Sequence, residues 1–145
     1  MMEPRSGSAV TGTATFTQAG SGPVHVSVQI ENATPGLHGL HVHETGDCSD
    51  PAAASAGGHL NPAAAGHAGL QTQARHAGDL GNIEIREDGK GDMSVSIDLL
   101  TISAGRGTVV GRAIVFHASQ DDLVTQPTGN SGARQACGVI TTTPR

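Results

Sequence analysis

The chain has no tryptophan and no tyrosine, and Phe16 and Phe116 are its only phenylalanines. A core so poor in large rings has to be built from Val, Ile, Leu and Ala. Lys90 is the single lysine, and the net charge at neutral pH is -5. That excludes the basic face on which nucleic-acid binding depends. No apolar run comes near the ~20 residues of a membrane-spanning helix. The stretch Met1-Met2-Glu3-Pro4-Arg5-Ser6-Gly7 lacks the charged-then-apolar order of an export signal. The chain is therefore expected to be cytoplasmic, or periplasmic or extracellular after removal of such a signal. Cysteine is scarce too, with only Cys48 and Cys137. Two thiols are too few for a thiolate zinc knuckle. They are either buried thiols or one bridge closing a long loop, worth about 4–5 kcal/mol on chain-entropy grounds.

What is plentiful is glycine, 21 of 145 residues, beside many β-branched side chains. That combination predicts short strands joined by turns. The length fits one domain with its own core, and residues 1–145 are read as one. Residues 10–16 and 24–30 alternate with period two, the latter with Val24, Val26, Val28 and Ile30 on one face. Ser21-Gly22-Pro23 between them reads as a hairpin turn. His25 falls on the polar face and reads as a surface histidine. Thr34-Pro35-Gly36 is a turn that feeds a strand over 37–44. From 45 to 79 the pattern fails, and Gly, Ala and Pro take over. So long a loop is rare in a compact domain and is usually functional. Strand patterns return at 82–85, 93–97, 108–110 and 113–117, with a turn at Glu87-Asp88-Gly89-Lys90-Gly91. A second long loop over 118–136 precedes a last short strand at 137–140. No stretch reads as helix. About eight strands and two long loops predict an all-β antiparallel sandwich or barrel.

The histidines stand out against this background. His41 and His43 lie two apart on a predicted strand and aim at the same point in space. His117 ends another strand. His59, His67 and His76 come from the first long loop, with Asp79 three residues on. Six histidines and a carboxylate are enough for two metal sites. Imidazole suits zinc and copper, and a carboxylate is an acceptable zinc ligand. Seven ligands leave two four-coordinate sites one short unless one imidazole bridges both. Composition does not say which.

Gly36-Leu37-His38-Gly39-Leu40-His41-Val42-His43-Glu44 resembles the first signature of copper–zinc superoxide dismutases, and Gly132-Ala133-Arg134-Gln135-Ala136-Cys137-Gly138-Val139-Ile140 resembles the second. Gly57-Gly58-His59-Leu60-Asn61-Pro62, His76-Ala77-Gly78-Asp79-Leu80-Gly81-Asn82 and Val110-Gly111-Arg112-Ala113 are also similar to that family, in the same order. The likeness covers about residues 8–140.

The resemblance implies an eight-stranded Greek-key fold and the disproportionation of superoxide to oxygen and hydrogen peroxide. It implies copper on His41, His43, His59 and His117, and zinc on His59, His67, His76 and Asp79, with His59 bridging. It makes His59 a proton carrier and Arg134 the residue that receives the anion. Asp121 would hydrogen-bond a copper histidine and a zinc histidine, its neighbour Asp122 being the decoy. Cys48 and Cys137 would form the family's intrachain disulfide. His38 matches a structural position. Residues 108–111 and 139–140 resemble the apolar patch through which the eukaryotic-type enzyme forms a homodimer, with a monomer as the alternative. A non-catalytic copper or zinc carrier is the competing reading. Relatives of that kind usually lack copper ligands or the arginine, and all of these are present here.

Overall fold

Alternation sorts side chains to opposite faces of a strand, and an apolar face needs a second layer to cover it. The computed structural model describes residues 1–20, 22–61, 66, 76–102, 107–126 and 129–142. Among them the strands are β1 (Glu3–Pro4), β2 (Thr11–Gln18), β3 (Val24–Glu31), β4 (Gly36–His43), β5 (Asp79–Ile85), β6 (Gly91–Ile97), β7 (Ala113–His117) and β8 (Arg134–Val139). β2, β3 and β6 form a three-stranded antiparallel sheet, and β1, β8, β7, β4 and β5 a five-stranded one in that order. The only helical element among the described residues is a 3₁₀ turn at Ala54–Ala56.

The two sheets are a sandwich and do not close into a barrel. The chain changes sheet in the turn after β5, where Arg86 N–H bonds Lys90 O at 2.8 Å and Gly89 N–H bonds Arg86 O at 3.0 Å. β5 and β6 are consecutive yet belong to different sheets. β3 lies beside β6, whereas β4, the next strand in sequence, lies in the other sheet beside β5. That crossing is the Greek-key connection.

The core lies between the layers. Val24, Val26, Val28 and Ile30 of β3 face Leu40, Val42, Leu80, Ile83, Ile114 and Phe116 of the large sheet in one buried cluster. A smaller cluster of Cys48, Ala53, Ala56, Ala113, Val115 and Cys137 sits on the other face of the large sheet.

The strand expected at 108–110 is absent. Val109 is buried, but its N–H bonds Thr101 O, and Arg112 N–H closes back on Val109 O. The apolar run Thr108-Val109-Val110 is thus a turn that plugs the core. β1, paired with Ala136 and Cys137 of β8, has no alternation to announce it. β5 and β8 each begin three residues earlier than alternation suggests, which puts Asp79 and Arg134 on strands.

Candidate metal centre

In β4, Leu40 and Val42 point into the core, so His41 and His43 point outward, yet they are 0% and 1% exposed. Described residues of both long loops reach them, Gly57 at His43 and Asp121 at His41. The register in the large sheet sets His41 between Asp79 and Val115, and His43 opposite Ala113, with an isolated bridge from His43 to His59. A register shift in β7–β8 sets His117 opposite Arg134. Irregularities of this kind recur beside active sites because they re-aim a side chain. Glycine permits the loops to come this close. A Cβ on Gly39 would sit 2.5 Å from Ser131 Oγ and 3.2 Å from Asp121 Cβ, and one on Gly78 would sit 2.1 Å from Val42 O.

One donor atom from each of His41, His43, His59 and His117 lies within 4.8 Å of the others, and all four residues are buried. The ring centroids of His41 and His59 are 3.9 Å apart, and those of His41 and His117 are 4.6 Å apart. The tautomers are set from behind. His41 Nε2–H donates to Asp121 Oδ2 at 2.7 Å, His43 Nδ1–H to Gly57 O at 2.8 Å, and His117 Nδ1–H to Gly132 O at 3.3 Å. The other nitrogen of each ring then carries a lone pair. Nε2 of His43 and Nε2 of His117 are buried and make no hydrogen bond. Lone pairs turned inward with no donor to meet are costly, unless a cation takes them. The four-nitrogen set therefore fits a metal, and imidazole nitrogens suit copper.

A second group shares His59. Its Nδ1 lies 2.9 Å from Asp79 Oδ1 and 3.1 Å from His76 Nδ1, and His76 Nδ1 lies 3.4 Å from the same carboxylate oxygen. Ligands about 2.0–2.1 Å from a tetrahedral ion stand roughly 3.3 Å apart, so this triangle has the size of one face of a zinc site. Asp79 Oδ2 is anchored by the His76 N–H at 3.1 Å. His67, expected as a further ligand, lies outside the described residues.

Burial pushes His41 down to about 4, against the upward pull of its bond to Asp121. His43 and His117 are also held well below the ordinary imidazole value, first by burial and then by a neighbouring histidine, with Arg134 adding to the effect. All three rings are therefore neutral at pH 7, the state that binds metal. Arg134 is partly buried, and its Nη1 donates to Ala53 O at 2.9 Å.

A family model described as copper/zinc superoxide dismutase (SODC) matches residues 10–140. The chain belongs to that family. It is also similar to the solved structure described as "Crystal Structure Analysis of the clock protein EA4", at 39% identity with a TM-score of 0.82, covering 90% of this chain and 85% of that one.

Set against the residues the family resemblance singled out, the structure brings together His41, His43, His59 and His117, and separately His59, His76 and Asp79. Asp121 is buried against His41, and Asp122 instead caps Val124 and Thr125 at the surface. Cys48 and Cys137 are bridged, with Cα atoms 5.7 Å apart. Sequence reasoning passed over Asn82, and it read His38 as structural, as the bonds of that ring bear out. Asn82 donates to Asp121 O and accepts from Asp121 N–H, at 2.9 and 2.7 Å. His38 bonds the carbonyls of His117 and Thr34 and stacks on Phe116. Asn82 lies inside a quoted motif, so its presence there was the available signal.

Proposed function

We propose that this chain is a superoxide dismutase, one domain over residues 1–145, with copper on His41 Nδ1 and on Nε2 of His43, His59 and His117, and zinc on His59, His67, His76 and Asp79. The observation that carries the reading is the convergence of four buried imidazoles, with the neutral rings of His41, His43 and His117 each fixed by an acceptor behind it. Copper held there would supply the one-electron redox couple that superoxide disproportionation needs.

The protein's own residues do the rest. His59 would carry and deliver a proton at Nε2 whenever that atom is free of metal, while Nδ1, turned to Asp79 and His76, keeps the ring in place. Arg134 holds a fixed positive charge beside His43 and His117 and draws the anion to them. Two superoxide ions and two protons leave as oxygen and hydrogen peroxide. Asp121 fixes the His41 ring through its hydrogen bond.

Copper and zinc content measured on the same sample as dismutase activity tests this. A sample loaded with both metals and inactive would leave the carrier reading. We further propose a homodimer through the face that carries Val139, 42% exposed, and Val110. Val109 and Ile140 of the expected patch are buried within the chain and add no surface. A particle of 14.5 kDa by light scattering at low concentration would leave the monomer instead.

A further inference from the structure

Arg134 is held from the turn over residues 50–57, where Ala53 accepts its Nη1–H. That turn is braced from several sides: Thr45 N–H donates to Ala56 O at 3.0 Å, and the Cys48–Cys137 bridge ties its approach to β8. Ala53 has a left-handed backbone, φ 57°, without being glycine. Asp50 Oδ2 accepts from Ala52 and Ala54 N–H, but these bonds are internal to the turn. Two bonds tie this turn and Cys48, just before it, to the N-terminal segment. Arg5 Nε donates to Cys48 O at 2.6 Å, and Ser6 N–H donates to Pro51 O at 2.7 Å.

The same segment grips the strand that carries Arg134. Arg5 N–H and Ser8 Oγ both donate to Gln135 O, at 2.8 and 2.6 Å, and Ser6 Oγ donates to Arg134 O at 2.8 Å. Ser6 and Gly7 both have positive φ, 54° and 73°, and Ser8 N–H closes on Arg5 O at 3.1 Å. A non-glycine residue in that region costs on the order of 1 kcal/mol and persists where its surroundings over-determine it. Ser6 is over-determined because its N–H and its hydroxyl reach opposite sides of the gap. The family match begins at residue 10, so this segment precedes it.

We propose that residues 3–8 are a clip that positions the Arg134 guanidinium, by joining the backbone of Arg134 and Gln135 to the turn that receives the Arg134 side chain. Arg5 and Ser6 are positioning residues and touch no substrate. The inference rests on the dismutase reading for its effect on rate, but the geometry of the clip does not depend on metal.

The test therefore has two arms. In the metal-free protein, the rate at which phenylglyoxal modifies Arg134 is followed by mass spectrometry for wild type, Arg5→Ala and Ser6→Gly. Ser6→Gly tolerates the left-handed turn and removes the hydroxymethyl side chain that bonds Arg134 O, so it serves if Arg5→Ala fails to fold. The expected result is faster modification at Arg134 in both variants, more in Arg5→Ala. In the metal-loaded protein, the second-order rate with superoxide should fall by up to about tenfold in Arg5→Ala at unchanged metal content, since an ångström of misplacement costs as much or more. Unchanged Arg134 reactivity in both variants overturns the clip. So does a lower rate without higher reactivity, which would make Arg5 only a steering charge. An inactive wild type removes the dismutase reading and leaves the first arm to decide the clip.

Discussion

β3 and β4 are both eight-residue strands, and they use alternation to opposite ends. In β3 every second residue is buried and the residues between are exposed or half-exposed. In β4 the last six residues are all buried. β3 has solvent on its outer face, so Val and Ile inside with His25, Ser27 and Gln29 outside satisfy it. β4 has the core on one side and two long loops on the other. Its outer residues are His41 and His43, which no apolar layer would welcome. A strand buried on both faces normally reads as a continuous apolar run. Here the second face is polar and can be buried only because hydrogen bonds hold one nitrogen of each ring and a metal can hold the other. The small sheet would exist without any function. The outer layer of the large sheet is built for one.

The sharpest break of this comparison is to remove a ring that the proposed reading gives to copper alone. His43→Ala or His117→Ala should abolish dismutase activity while zinc stays bound, because His59, His76 and Asp79 form a separate group. Parallel zinc and copper analysis with the activity assay checks it, and a variant with near-normal turnover would sink the copper assignment. Asp121→Asn should act more gently. An amide has one acceptor oxygen, so it cannot both receive His41 Nε2–H and cap Leu123 N–H, as the carboxylate does. Copper affinity or activity should fall by about 10–100-fold, the usual cost of losing a ligand's outer partner. A competition titration with a copper chelator measures it.

Reduction of Cys48–Cys137 acts on stability and not on the metal centre. The bridge closes 89 residues, for which chain entropy gives about 4–5 kcal/mol of stability. Denaturant melts with and without reductant measure it, and two titratable thiols in freshly isolated protein would contradict the bridge itself.

Legibility follows the same divide. The small sheet could be read from period two alone, down to His25 as a surface residue. The large sheet needed other information. His41 and His43 are adjacent on one strand and announced themselves. The convergence of His59, His76 and Asp79 on them depends on how a loop folds back, which only the family signatures implied. Bonds between residues far apart, such as Arg5 to Cys48 or Ser6 to Arg134, leave no mark in local patterning. The run at 108–110 misled because three apolar or β-branched residues look alike as a strand and as a buried turn.

Acid should separate the halves in the metal-free protein. His41, His43 and His117 are all depressed in the folded state. Their unfolded forms take up protons near pH 6.5 and the folded forms do not. Stability is therefore fully present above that pH and is lost as pH falls toward about 4, where His41 itself titrates. Hydrogen exchange should show β4 and β7 opening first in this window and β2 and β3 later. Equal loss of protection in the two sheets would mean that the rings are not the groups that titrate.

The smallest effect belongs to the histidine of the plain sheet. His25 stands on the outer face of β3, exposed, with Ser94 Oγ 2.8 Å from Nε2 and Ser96 Oγ 3.4 Å from Nδ1. Water replaces such exposed hydrogen bonds at little cost, and surface substitutions of this kind usually stay within about 0.5 kcal/mol. His25→Ala should leave metal content, activity and the denaturant midpoint where they are. It is the same residue type as His43, on a strand of the same length, one face-burial apart. If His25→Ala lowered copper loading or stability by as much as a metal-centre variant, the division between a structural sheet and a functional one would be wrong. The ring at position 25 would then have to be counted among the protein's metal-binding groups.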